Sequence, residues 1–153
     1  MIPISFDILS LLNGKTIATA ESCTGGGIGA ALTSVSGISA IYKGGVVAYT
    51  DEVKASLLHI DREILVQHGA VSAPVAKAMA ENVRQLLSAD IGISVTGLAG
   101  PDGDDRGNPV GTVYIGYADA KRCIAKEFHF TGDRESIRKQ AVFEAIKLIL
   151  DSN

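Results

Sequence analysis

A strand, a glycine-rich corner and a helix near the amino end constrain the fold most strongly. Residues 16–20 form a short apolar run, and residues 28–35 carry the small-residue pattern of a helix. Residues 21–27 lie between them and read Glu-Ser-Cys-Thr-Gly-Gly-Gly. We therefore predict a strand that ends near Ser22 and a helix that begins near Gly25 to Gly27. The unpaired N–H groups and the dipole of a helix start favour an anion or a developing oxyanion.

The same corner also fits a purely structural role. A turn rich in glycine, serine and threonine is often only a capped turn between a strand and a helix. It is not a P-loop, because no Lys-Ser/Thr pair follows the glycines. It is not the Gly-x-Ser-x-Gly elbow of hydrolases either, because Ala20 and Thr24 stand where the glycines belong.

The remaining pattern alternates helices and strands and then ends in a strand hairpin and a helix. The predicted helices cover residues 3–13, 25–35, 52–58, 61–67 and about 73–87, with a final helix after Asp133, and the predicted strands cover residues 16–20, 41–49, 91–95, 110–118 and 122–130. We expect Asp51, Ser72 and Asp133 to be N-caps. The 14 residues from Thr96 to Pro109 are rich in glycine, proline and aspartate, which predicts a functional loop.

This element order predicts an α/β protein. Alternating helices and strands favour parallel strands with crossover helices, whereas the late hairpin must add at least one antiparallel strand. We predict a three-layer α/β/α sandwich with a mixed, mostly parallel five-stranded sheet. Residues 1–153 show no linker and no internal repeat, so we expect a single domain.

Composition argues against several classes of partner. The net charge of −3 offers no basic field to a nucleic acid. No run of 18 apolar residues and no signal-peptide pattern is visible. The only cysteines are Cys23 and Cys123, which have no metal-ligand spacing. We expect a cytoplasmic protein without a metal or a cofactor.

Three loops are expected to meet beyond the carboxyl ends of the parallel strands, where ligands bind in such sheets. They are residues 21–27, 49–54 and 96–108, and they contribute the hydroxyl groups of Ser22, Thr24, Tyr49 and Thr96. His59, His68 and His129 lie in none of these loops. A Ser-His-Asp triad is therefore not expected, and we interpret each histidine as a surface or half-buried residue.

A reactive serine without histidine needs another base, and Lys54 is the candidate. A lysine in the first turn of a helix faces a dipole that disfavours its charge, which lowers its pKa. Asp51 and Glu52 oppose that effect. Tyr49 can share or relay a proton. The alternative for Lys54 is a solvated helix residue.

The sequence does not decide the roles of four other polar residues near these loops. A helix start favours the thiolate of Cys23, but successive side chains point apart, so only one of Ser22 and Cys23 is expected to face a pocket. Glu21 can act as a cap or can orient a ligand. Arg134 and Arg138, in the first turns of the last helix, can reach a phosphate or lie on the surface.

Six motifs together carry a family resemblance across nearly the whole chain. They are Ala20-Glu21-Ser22-Cys23-Thr24-Gly25-Gly26, Ala48-Tyr49-Thr50-Asp51-Glu52-Val53-Lys54, His68-Gly69-Ala70-Val71-Ser72, Thr96-Gly97-Leu98-Ala99-Gly100-Pro101-Asp102-Gly103, Pro109-Val110-Gly111-Thr112-Val113 and Thr131-Gly132-Asp133-Arg134. In this order they resemble the C-terminal domain of the CinA family, in its stand-alone form. The family was named for competence and damage induction. Its domain is similar to nicotinamide-nucleotide amidase, which converts nicotinamide mononucleotide to nicotinate mononucleotide and ammonia.

The resemblance implies a serine amidohydrolase of pyridine-nucleotide salvage. It implies Ser22 as the nucleophile, Tyr49 and Lys54 as its activating partners, and Thr96 as a further active-site residue. An arginine of the last helix completes the implied set, with Arg138 preferred over Arg134. We expect substrate contacts from the polar and glycine residues of the loops, namely Glu21, Thr24, Gly25, Gly26, Gly97 and Gly100. A homodimer is also implied.

Two other functions stay open at this point. A nucleotide-binding regulatory module without turnover keeps the glycine loops but has no use for a Ser-Tyr-Lys set. An accessory protein of DNA uptake or repair is suggested only by the family's name, and the acidic balance argues against direct DNA binding.

Overall fold

The computed structural model describes residues 7–153, which form six α-helices, five strands and one short 3-10 helix. The helices are α1 (Asp7–Leu12), α2 (Gly27–Thr33), α3 (Asp51–Ser56), α4 (Arg62–His68), α5 (Ala73–Leu86) and α6 (Arg134–Asp151), and the 3-10 helix is Ile38–Ala40. The strands are β1 (Ile17–Glu21), β2 (Tyr42–Val47), β3 (Ile91–Gly97), β4 (Thr112–Ala118) and β5 (Cys123–His129). The predicted first helix began at residue 3, and residues 3–6 lie outside the described part of the chain.

The five strands form one sheet in the order β2-β1-β3-β4-β5. The strand β1 is parallel to both β2 and β3, whereas β4 is antiparallel to both β3 and β5. The sheet is therefore evenly mixed, and the expectation of a mostly parallel sheet was wrong. The physical reason is that the β4–β5 hairpin adds one antiparallel pair and β4 adds another by pairing directly with β3.

Apolar side chains pack on both faces of this sheet. Alternation along β1 places Ile17 in the cluster that α1, α2 and α6 share, and places Ala18 in the cluster that α5 shares. Helix α5 lies very close to β3, because a Cβ at Gly92 would stand 1.9 Å from the carbonyl oxygen of Ala80. Helices on both faces are compatible with a three-layer sandwich.

The carboxyl ends of β1, β2 and β3 meet at one edge of the sheet. The N–H of Ser22 donates to the carbonyl of Val95 at 2.9 Å, and the N–H of Ala48 donates to the carbonyl of Glu21 at 2.8 Å. The three predicted loops therefore start side by side. Within residues 7–153, none of the helices is both long enough and apolar enough to span a membrane.

Two predicted caps differ in the structure. Thr50, not Asp51, is the N-cap of α3, and its hydroxyl oxygen accepts from the N–H of Val53 at 3.3 Å. Ser72 stands at the cap position of α5 but makes no cap bond, because its hydroxyl donates to the carbonyl of Gly69 instead. Asp133 caps α6 as predicted, since its carboxylate accepts from the N–H of Ser136.

Candidate active site

A cavity of about 710 Å³ opens at the edge where the parallel strands end. All three predicted loops contribute to its wall. Of the predicted site residues, it is lined by Ser22, Tyr49, Lys54, Thr96, Gly97, Gly100 and Arg134. The others, Glu21, Thr24, Gly25, Gly26 and Arg138, do not line it.

A close contact in this cavity joins the side chains of Ser22 and Lys54. The Nζ of Lys54 lies 3.0 Å from the Oγ of Ser22, 2.9 Å from the carbonyl oxygen of Ala48 and 3.4 Å from that of Tyr49. A charged amine donates to all three oxygens. In a neutral amine the two N–H groups remain on the carbonyls, which can only accept, so the lone pair is left for the hydroxyl proton of Ser22.

Burial controls the acidity of Lys54. Its side chain is 1% exposed, and desolvation lowers its pKa from the ordinary value of 10.5, while the negative charge of Asp51 raises it. The sequence suggested the helix dipole as the cause, but burial is the leading one. A lowered pKa increases the neutral fraction near neutral pH, and the neutral amine is the form that can act as a base.

Cys23 packs beside Ser22 in the apolar core and also contributes to the cavity wall, so the expectation that only one of the two faces the pocket was wrong. Its side chain is 5% exposed and packs in the cluster of α2 and α6, and burial raises the pKa of its thiol to about 11. A thiol with that pKa stays protonated at neutral pH and is a poor nucleophile. The contact of Lys54 with the Ser22 hydroxyl and the burial of the Cys23 thiol therefore favour Ser22 over Cys23.

The hydroxyl of Tyr49 is directed to Arg134 and not to Ser22 or Lys54. Arg134 donates from Nη2 to the Tyr49 hydroxyl at 3.0 Å and from Nη1 to the carbonyl of Gly100 at 2.6 Å. Tyr49 is 56% exposed. This bridge links the loop after β2, the loop after β3 and helix α6 across the wall of the cavity.

Glu21 occupies the amino end of α2. Its carboxylate is 2% exposed and accepts from the Thr24 hydroxyl at 2.7 Å, from the N–H of Ile28 at 2.8 Å and from the N–H of Gly29 at 3.0 Å. Gly25 and Gly26 turn the chain here with φ of +59° and +102°, which glycine adopts at low cost. The start of α2, where the sequence predicted a site for an anion, is therefore occupied by the carboxylate of Glu21.

Arg138 is half-buried and binds the backbone of the same corner. Its Nε donates to the carbonyl of Cys23 at 3.0 Å, and its Nη2 donates to the carbonyl of Thr24 at 3.2 Å. The placement of Arg138 does not support the preference for it as the substrate arginine, because Arg134 is the one that lines the cavity.

The end of β3 and the loop after it form another part of the cavity wall. Thr96 is 1% exposed and donates from its hydroxyl to the carbonyl of Ala70 at 2.9 Å, which joins β3 to the segment before α5. Farther along, Arg106 donates to the carbonyls of Val66 and Gln67 at the end of α4. Arg106 therefore fastens the loop to α4.

Sequence reasoning did not assign several wall residues to the site. These residues lie outside the three predicted loops, in α4 and the segment after it, and are Arg62, Leu65, Val66, Gly69, Ala70 and Val71. The motif at residues 68–72 was one signal that pointed to this wall. Among the residues that the structure describes, no group of three or more His, Cys, Asp and Glu side chains is placed to hold a metal ion.

Comparison with known proteins identifies one family. Residues 6–152 match the family model described as the CinA C-terminal domain. The chain is 46% identical over 143 residues to a CinA-like protein of Citrifermentans bemidjiense, and 43% identical over 137 residues to a putative competence-damage inducible protein of Thermoanaerobacter pseudethanolicus. These alignments cover 92% and 90% of the chain but 34% and 33% of those proteins. The chain thus spans about a third of the length of the curated relatives it matches.

Solved structures agree with this relationship. The competence damage-inducible protein A (ComA) of Klebsiella pneumoniae is similar with a TM-score of 0.90 and 37% identity, and the match covers 94% of this chain and 89% of that one. A competence-damaged protein (CinA) superfamily protein of Escherichia coli is similar with a TM-score of 0.92 and 30% identity, over 99% of this chain and 95% of that one.

Proposed function

Because the chain belongs to the CinA C-terminal domain family, we propose that it is a serine amidohydrolase that converts nicotinamide mononucleotide to nicotinate mononucleotide and ammonia. The observation that carries this proposal is the 3.0 Å contact between the Ser22 Oγ and the buried Lys54 Nζ in a cavity at the sheet edge. A buried lysine amine within hydrogen-bond distance of a serine hydroxyl is the arrangement expected of a general base beside its nucleophile. A module that only binds nucleotides has no need of that pair.

The proposed reaction begins with neutral Lys54. Its Nζ takes the proton of Ser22 Oγ as the Oγ–carbon bond to the carboxamide forms, and the carbonyl oxygen becomes an oxyanion. Collapse of this intermediate breaks the carbon–nitrogen bond, and the Lys54 ammonium protonates the departing nitrogen, which leaves as ammonia. Water then attacks the acyl-enzyme with Lys54 as the base, nicotinate mononucleotide leaves, and Ser22 regains its proton.

The oxyanion needs donors other than the start of α2, because Glu21 already accepts from Ile28 and Gly29 there. We assign the oxyanion to the backbone N–H of Cys23, which follows the nucleophile directly. Arg134, on the cavity wall, is the arginine assigned to the phosphate. Tyr49 is assigned to the same part of the cavity, through its hydrogen bond with Arg134.

The proposal also covers the setting of the reaction. The partner is the small nucleotide substrate, and the protein acts as a cytoplasmic homodimer with a three-layer α/β/α fold. No cofactor takes part in the steps written above.

The direct test is ammonia release from nicotinamide mononucleotide by the purified protein, measured beside Ser22→Ala and Lys54→Ala. We expect release by the wild type and a loss of at least about a hundredfold in each variant. Tight nucleotide binding without ammonia release would favour the regulatory module. Full activity of Ser22→Ala would refute the assignment of the nucleophile.

A further inference from the structure

The carboxylate of Glu21 is buried at the start of α2, directly before Ser22 in the chain. Building on the proposed function, we propose that Glu21 is a positioning residue, whose buried carboxylate fixes the turn that presents Ser22 to Lys54 and thereby sets kcat rather than KM. Glu21 does not line the cavity, so it acts through its neighbours and not on the substrate.

The contacts of Glu21 are complete without a cation. Its two oxygens accept from Thr24, Ile28 and Gly29 at 2.7 to 3.0 Å. Within residues 7–153 it forms no ion pair. The carboxylate therefore serves as a fixed anion at the start of α2, and the helix donors compensate its charge. A carboxylate held in this way resists displacement, because moving it would leave the carboxylate and its three hydrogen-bond donors unpaired.

The turn is held from two sides. On the inner side, the Thr24 hydroxyl ties the turn to Glu21, and the N–H of Gly25 donates to the carbonyl of Ser22 at 3.0 Å. On the outer side, Arg138 binds the carbonyls of Cys23 and Thr24. Because a peptide unit is planar and trans, a Cys23 carbonyl that faces Arg138 turns the N–H of Thr24 the opposite way. Glu21 and Arg138 together thus fix the backbone that follows the nucleophile.

This restraint matters because the Ser22–Lys54 contact is the reactive geometry. A displacement of about 1 Å between reacting groups can cost about a hundredfold in rate. In Glu21→Gln the side chain keeps its shape, but one carboxylate oxygen becomes an NH₂ group. That group faces either the N–H of Gly29, or both the N–H of Ile28 and the Thr24 hydroxyl. One helix N–H then loses its acceptor, and the turn can shift.

Two readouts separate this inference from the proposed function. The first is kcat and KM for ammonia release from nicotinamide mononucleotide. The second is the rate at which a fluorophosphonate labels Ser22, measured by intact mass, which requires no turnover of the nucleotide. If the wild type is labelled at Ser22 but releases no ammonia, the proposed function fails, and the labelling rates still decide the role of Glu21.

For Glu21→Gln we expect kcat and the labelling rate to fall together by about a hundredfold, with KM within threefold of the wild type. Asp90→Asn is the control, because the Asp90 carboxylate, just before β3, accepts from the N–H and hydroxyl of Thr16, just before β1, away from the cavity. It should leave both rates within twofold. Thr24→Val should repeat the loss, and Thr24→Ser should restore the rates, which covers the case that Glu21→Gln folds poorly.

Two results would overturn the inference. One is a folded Glu21→Gln protein whose kcat and labelling rate match the wild type. The other is a rise in KM at unchanged kcat, which would place Glu21 on the substrate.

Discussion

Replacing Lys54 by methionine tests the central assignment most directly. Methionine keeps a flexible side chain of similar length but has no base. A general base typically contributes about 10²- to 10⁴-fold, which corresponds to about 3 to 5 kcal/mol of transition-state stabilisation. We expect kcat for ammonia release to fall by that factor in Lys54→Met.

The expected effect on stability is smaller. Lys54→Met removes the donor to the Ser22 hydroxyl and to the buried carbonyl of Ala48, and each lost bond to a charged amine costs about 1.5 to 3 kcal/mol. It also removes an amine that is 1% exposed and has no ion pair among the described residues, and burying such a charge costs several kcal/mol. The two terms nearly cancel, so Tm should change by less than about 8 °C.

The pH dependence gives a second measurement. In the unfolded chain Lys54 has its ordinary pKa of 10.5, and burial lowers the pKa in the folded chain. Between these two values the unfolded state binds more protons, so the contribution of Lys54 to the free energy of unfolding rises with pH. Below the folded pKa both states are protonated, and the cost of burying the ammonium is fully present. This rise should be absent from Lys54→Met in urea titrations at several pH values.

Activity should follow the same ionisation. The acid limb of the kcat profile should report the deprotonation of Lys54, with an apparent pKa below 10.5. Lys54→Arg is the matched control, because a guanidinium keeps hydrogen-bond donors but does not deprotonate in this range. An active Lys54→Arg, or a Lys54→Met that keeps more than a third of the wild-type kcat, would refute the role of Lys54 as a base.

Three further predictions concern the frame of the cavity. Cys23→Ala should keep activity within about threefold, and iodoacetamide should not inactivate the wild type at pH 7.5, because burial raises the thiol pKa to about 11; rapid alkylation of Cys23 would contradict this. Arg106→Ala should raise KM more than it lowers kcat, because the loop after β3 loses its contacts with the end of α4. An unchanged KM would show that these contacts do not contribute to substrate binding. Thr50→Ala should cost about 1 kcal/mol in urea unfolding through loss of the α3 cap, with Thr50→Ser as the control.

The local pattern of the sequence was sufficient to predict most elements near the site. The apolar run before Ser22, the glycines after it and the Asp133 cap each act through neighbours within a few residues. The family motifs also named Ser22 and Lys54 as partners, although they are 32 positions apart. Local chemistry therefore located the corner and the loops, and the family resemblance supplied the candidate nucleophile.

Only the tertiary structure decided how these parts act. Lys54 is buried because the ends of β1 and β2 surround its amine, and no helix pattern reveals that burial. The Glu21 side chain spans the turn and accepts hydrogen bonds from the first residues of α2. The sequence does not reveal this contact, because it depends on how the turn folds. Likewise, Arg134 and Arg138 lie one helical turn apart in sequence, yet their directions relative to the sheet edge place one on the cavity and the other behind the corner. Burial and direction depend on packing between distant segments, so the sequence by itself determined which groups are present and the fold determined which of them meet.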